Sequence, residues 1–110
     1  MYPQVINQAL GNAVGPAYFD IMKTPFSVSI GCEVTGTVNY TVQHTFEDLM
    51  NTLQSNAVWW NNDNPSLTSA TTSQSGNYSY SVRAARVVVN SGTGSVKVTF
   101  LSKLTEIRDI

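Results

Sequence analysis

Between residues 26 and 46 apolar and polar side chains alternate. The even positions read Phe26, Val28, Ile30, Cys32, Val34, Gly36, Val38, Tyr40, Val42, His44 and Phe46; the odd ones hold Ser, Thr, Asn, Gln, Glu and one Gly. A period of two with one apolar and one hydroxyl/amide face marks half-buried antiparallel strands. The run exceeds the length of a typical strand, which predicts a break near residues 33–36. A three-residue loop ending in Gly36 suits it, with the glycine in the left-handed position. An odd loop length keeps the even residues on one face of the resulting hairpin.

A second hairpin is expected in "YSYSVRAARVVVNSGTGSVKVTFLSKL", residues 78–104, with its turn at residues 90–95. In that register Val89 meets Val96, Val87 meets Val98 and Ala85 meets Phe100, all six on one inner face. Tyr78, Tyr80 and Val82 alternate on the opposite parity, so a β-bulge is expected near residues 84–86. Between the hairpins, "TFEDLMNTLQSN" (45–56) reads either as a short helix capped by Thr45 or as a strand end passing into a loop. Residues 61–77 are mostly loop, with one possible strand in "SLTSATT".

The first 25 residues differ in character. Val5, Ile6, Ala9, Leu10, Ala13 and Val14 recur at i, i+4 spacings compatible with a short helix, which Gly11 and Gly15-Pro16 then interrupt. Such an apolar arm is either a docking element for a partner, through Val5, Ile6 and Leu10, or a strap closing its own domain. The organisation expected is an arm or strap over residues 1–25 and one β-sandwich domain over 26–110. The fold class is all-β, an antiparallel sandwich, with at most one short helix.

Composition narrows the function. Only 12% of the residues are charged, about half the usual share, and 24 Ser and Thr with ten Asn take their place. That suits a β protein lying against other protein surfaces. The net charge is −1 and the six basic residues are scattered, so direct nucleic-acid binding is not expected. No apolar run approaches the length of a membrane span, and the N-terminus lacks the pattern of a cleaved signal. Cys32 is the one cysteine and reads as a small core residue.

Catalytic constellations lack parts. His44, the one histidine, sits at an apolar-parity position and reads as a packed core imidazole. There is no nucleophile elbow, and Glu47 and Asp48 are adjacent, so they point apart in a strand. "NNDNPS" holds one acid and no bidentate Glu, too little for a calcium loop, and one Cys with one His excludes ordinary zinc sites. No enzyme activity, cofactor or metal is expected. Binding remains, and the stretch "AVWWNNDNPSLTSATTSQSGNYSYSV" (57–82) is where to look. Trp59 and Trp60 cannot share a strand face, so one of them needs a partner, a ligand or cover from a loop. Tyr78 and Tyr80 do share a face, and Asn61 and Asn62 lie between the two aromatic pairs.

The segments "VNYTVQHTFEDL" and "AVWWNNDNPSLTSATTSQSGNYSYSVRAARVVVNSGTGSVKVTFL", within residues 34–101, resemble the capsid decoration, or cement, proteins of short-tailed double-stranded DNA bacteriophages. The resemblance implies a jelly-roll-like β fold and a place on the outer capsid surface of the virion, after assembly in the host cytoplasm. It further implies binding to the major capsid protein as a homodimer that staples neighbouring subunits against the pressure of packaged DNA. Such proteins have no catalytic residues to carry over. The alternatives are a carbohydrate-binding sandwich, with Trp59 or Trp60 beside Tyr78, Tyr80, Asn61 and Asn62 as a sugar platform, and another virion role in a tail or head fibre.

Overall fold

The alternation over residues 26–46 becomes two strands, and the structure shows that they belong to different sheets. The computed structural model describes residues 2–10, 16–19, 27–49 and 56–102. Its strands are β1 (Tyr2–Ala9), β2 (Ala17–Tyr18), β3 (Val28–Thr35), β4 (Val38–Thr45), β5 (Trp60–Asn61), β6 (Gln74–Tyr78), β7 (Ala84–Gly92) and β8 (Ser95–Ser102). A 3-10 turn, Pro65–Leu67, precedes β6. Two four-stranded antiparallel sheets pack together as a β-sandwich, in the orders β1-β8-β3-β6 (sheet A) and β2-β7-β4-β5 (sheet B).

Neither expected hairpin forms. β3 pairs with β8 and β6, and β4 pairs with β7 and β5. The register explains how. Val28 faces Ser102, Thr35 faces Ser95, and beyond the bend Val38 faces Gly92 and Thr45 faces Ala84. Residues 28–45 and 84–102 thus make one long antiparallel ribbon that bends once, at residues 36–37 and 93–94, and closes on itself. Folding the ribbon presses the apolar face of each strand onto that of its own continuation, the arrangement that buries the most apolar surface. Parity had the inner set right: Ala85, Val87, Val89, Val96, Val98 and Phe100 are all buried. It had their neighbours wrong, because parity assigns a face and not a hydrogen-bond partner.

The bend is built on glycine. Gly36 takes the left-handed conformation expected of it (φ +80°), and Gly92 takes φ +107° on the facing strand. The Gly94 amide donates to the Thr37 carbonyl at 2.8 Å and stitches the two bends together. A side chain at Gly92 or Gly94 would collide with the Thr35–Val38 backbone.

The register slip also lies elsewhere than expected. It falls between Asn39 and Tyr40, where Asn90 is the extra residue of β7. Asn90 Nδ2 holds the bulge by donating to Asn39 Oδ1 at 2.8 Å and to Thr41 Oγ1 at 3.3 Å. The parity change does fall at Ala84–Ala85, both buried, but it reflects the crossing from β6 in sheet A to β7 in sheet B and not a bulge.

Residues 2–9 form a strand, not the helix their spacing allowed. β1 pairs with β8 along its whole length as an edge of sheet A, with Ile6 turned inward and Val5 outward. Gln4 ties it to β2, donating to the Tyr18 carbonyl and accepting from the Tyr18 amide. Of the stretch 45–56, Thr45 closes β4 and its Oγ1 accepts from the Glu47 amide at 3.1 Å. The rest of the helix alternative, residues 50–55, lies outside the described residues, as do Ala13 and Val14. "SLTSATT" forms no strand, although Ala70 exchanges both backbone bonds with Tyr40. Leu67, on the 3-10 turn, is fully buried against β6, and a Cβ at Gly76 would come within 2.8 Å of its Cδ1. This segment plugs the side of the sandwich between the edge strands β5 and β6.

Candidate functional site

At the end of the sandwich opposite the bend, β4 runs out at Thr45 and β6 at Tyr78, on the same side of the two sheets. His44 and Tyr78 face each other there. His44 is 2% exposed, its ring centroid is 5.0 Å from that of Tyr78, and its Nδ1 shares a hydrogen bond of 3.0 Å with the Tyr78 hydroxyl. Two further rings lean on this pair from outside, and a third leans on one of them. Phe46 lies 5.3 Å and Tyr80 5.8 Å from His44, both edge to face, and Trp60 lies 6.4 Å from Phe46. Their exposure is 49% for Phe46, 55% for Trp60 and 40% for Tyr80.

Local chain geometry produces this cluster. Trp60 pairs with His44 in register and so leaves sheet B on the core side, but from the edge strand. Phe46 and Tyr80 continue the inward parity of β4 and β6 one step past the point where the sandwich ends. They therefore keep the direction of core residues and lose the cover. Val58, also exposed, joins this end, its amide held by Glu47 Oε2 at 2.6 Å and its carbonyl by Thr45 Oγ1 at 2.8 Å. Large apolar side chains grouped in this way are the usual mark of an interaction surface.

Most of the polar groups around the rings are engaged; Asn62 Nδ2 is buried and has no hydrogen-bond partner among the described residues. Tyr80 donates to Asp63 Oδ2 at 3.0 Å. Asn62 Oδ1 accepts from the Asn64 amide, and Asn64 Oδ1 from the Ser66 amide, so "NNDNPS" is a run of side-chain caps leading into the 3-10 turn. Among the described residues no group of three or more His, Cys, Asp or Glu comes together. Burial pushes the His44 imidazole below its ordinary pKa, and the Asp63 carboxylate opposes this only in part. Burial likewise pushes the Tyr78 hydroxyl up, and it does so for Tyr80 with help from the Asp63 bond and charge. The neutral imidazole and the two protonated phenols order the seat beneath the exposed rings. Enclosed by them, His44 offers no reactive nitrogen to a solvent-borne substrate. Cys32 is equally withdrawn, with burial pushing its thiol up to about 11.

The depressed pKa of His44 has a consequence for stability. Below about pH 6.5 the unfolded chain takes up a proton that the native imidazole refuses, so stability present at neutral pH is lost as pH falls through the native value. Thermal melting at pH 7.5, 6.5 and 5.5 should show a midpoint falling toward acid, by at most about 1.4 kcal/mol per pH unit in stability. His44→Phe should flatten that slope. A slope unchanged in the variant would assign the acid sensitivity to other groups.

Of the residues expected at a contact surface, the structure brings Trp60 and Tyr80 together and leaves Trp59 half-buried on the other side of β5. Asn61 is exposed but tied to Gln43 Nε2 at 2.9 Å. Ile6, Asn62 and Tyr78 are buried and present no surface: Ile6 and Tyr78 turn into the core, and Asn62 turns inward to cap its own loop. Val5 and Leu10 are exposed on the N-terminal strand and the turn after it. Phe46 and Val58 were missed. No sequence signal separates Phe46 from the buried members of its own alternating run. Comparison with protein-family models, with curated proteins and with solved structures found no match.

Proposed function

We propose that the chain is a protein-docking module that acts as a virion structural protein, binding the outside of a phage capsid and stapling neighbouring major capsid subunits. The observation that carries the docking role is the exposed cluster of Phe46, Trp60 and Tyr80 on the ordered His44–Tyr78 seat. Aromatic anchors fixed before binding lose little side-chain freedom on docking. The capsid as partner rests on the resemblance of residues 34–101. The low charge of the chain agrees with it, since crowded copies neither repel nor bury unpaired ions. Two contacts per copy, each modest, hold firmly when they bridge subunits, because the second is intramolecular. For a homodimer, β1 offers a seam, as an edge strand whose sequence YPQVINQA carries no formal charge.

The cluster suits a protein partner better than a glycan. The Phe46 and Trp60 ring planes meet at 60°, so the rings form no common platform for a sugar. One oxygen each of Asn61, Asn62 and Asp63 already accepts from Gln43, Asn64 and Tyr80, and Asn62 Nδ2 is buried away from any solvent-borne sugar. The test is co-sedimentation of the purified chain with capsids of the encoding phage assembled without it. Saturable binding at a fixed ratio to the major capsid protein, with raised heat resistance of the shell, is the expected result. Absence of binding to both expanded and unexpanded shells would refute the capsid role.

A further inference from the structure

The outer face of sheet B carries a second arrangement, behind the aromatic cluster and independent of it. Arg86, Gln43 and Asn61 stand side by side in register on β7, β4 and β5. Arg86 Nε donates to Gln43 Oε1 at 2.9 Å, and Gln43 Nε2 donates onward to Asn61 Oδ1 at 2.9 Å. Trp59 completes the setting, its ring centroid 4.2 Å from Arg86 Cζ. The guanidinium is thus fixed along one edge by an amide and across one face by an indole.

Among the described residues it has no counter-ion. The ion pairs among the described residues join Arg83 to Asp48 and Lys97 to Glu33, and neither involves Arg86. Its terminal Nη nitrogens bond no described residue. Along β2, β4, β5 and β7 the sequences AY, VNYTVQHT, WN and AARVVVNSG hold one formal charge, that of Arg86. A half-buried cation with neutral partners only is an incomplete electrostatic arrangement, and burial already lowers its affinity for its proton. A planar guanidinium held in this way presents its remaining N–H groups in the fork that matches a carboxylate.

We propose that Arg86 is a carboxylate-binding site, at which an Asp or Glu side chain of a partner protein docks on the outer face of sheet B. The chemistry favours carboxylate over phosphate. One guanidinium neutralises one carboxylate, whereas a phosphate dianion would remain half compensated, and no second cation stands on these strands. On so neutral a face a single charged seat also sets the partner's register, because any other alignment leaves both ions unpaired. The site stands on the sheet geometry alone and holds whatever the partner is.

The test uses the full chain, labelled with 15N, and follows the Arg86 Nε–H and Trp59 indole N–H resonances. Sodium acetate is titrated at constant ionic strength against sodium chloride, with inorganic phosphate as a parallel probe. Acetate should shift both signals along one saturable curve, with half-saturation on the order of 100 mM for a single small anion. Arg86→Lys keeps the charge but loses the fork and the Gln43 bond, and its Trp59 response should no longer saturate. Shifts equal to those in chloride, or an Arg86→Lys chain that saturates like the wild type, would overturn the site. Phosphate binding tenfold tighter than acetate would overturn the assignment to carboxylate. The wild-type titration decides the matter even if the variant folds poorly.

Discussion

Phe100→Ala is expected to lower the stability of the chain by about 3–5 kcal/mol, the range for removing a fully buried aromatic side chain from a packed core. Phe100 lies on β8, between Gln4 of β1 and Ile30 of β3, and is fully buried with the Phe19 ring edge-on at 5.7 Å. It projects from the middle of sheet A toward sheet B, where the surrounding strands are pinned on both sides and cannot collapse into the space. Against the ~5–15 kcal/mol typical of a domain, the loss is a large fraction of the total. Urea unfolding should show a midpoint lower by more than about 1 M, with an unchanged slope. Leu101→Ala is the matched control. Leu101 points to the opposite face and is 37% exposed, so its loss should be small. Equal effects at positions 100 and 101 would contradict the orientation of β8 and with it the sandwich.

The contrast between those neighbours was legible in the sequence, because a period of two separates inside from outside without reference to any partner. The same reasoning assigned Val28, Ile30, Cys32, Val38, Tyr40 and Val42 to the core, where they lie. It failed on connectivity. A glycine-containing break between two alternating runs serves a hairpin and a bend between sheets equally well, and Gly36 adopts a positive φ in either case. The choice depends on residues 84–102, which pair with residues 28–45 along both halves, a contact that no local pattern reports. β1 was misread for a related reason. Val5, Ile6, Ala9 and Leu10 satisfy a helical spacing, and only the presence of β8 beside them favours a strand.

The candidate site was half legible. The cost of an exposed tryptophan pointed to the Trp59–Trp60 pair, and the structure places Trp60 outside and Trp59 against Arg86. Phe46 and Tyr78 were on the wrong sides of the expectation. Both continue strands of inward parity, and which of them is covered depends on where the sandwich ends. Parity puts Arg86 on an outer face, but nothing marks it as a site because six scattered basic residues look alike in sequence; its distinction is the neutrality of the strands around it.

Trp60→Ala is expected to weaken binding to the partner by 2 kcal/mol or more, about 30-fold in affinity, while leaving the fold intact. The ring sits at the sheet edge, 55% exposed, with Phe46 as its aromatic neighbour 6.4 Å away. Its removal should therefore change the unfolding midpoint within the ordinary scatter of a surface substitution. An interface centred on Phe46, Trp60 and Tyr80 would lose its largest anchor, whereas one centred on the N-terminal strand would not notice. Val5→Ala and Leu10→Ala make the converse test, since both residues are exposed apart from the aromatic end. Co-sedimentation with capsids, read as the concentration for half-maximal binding, separates the two cases. A right-shifted curve for Trp60→Ala alone places docking at the aromatic end. Wild-type binding by that variant, with a loss at Val5 or Leu10, would move the interface to β1 and refute the role assigned to the cluster.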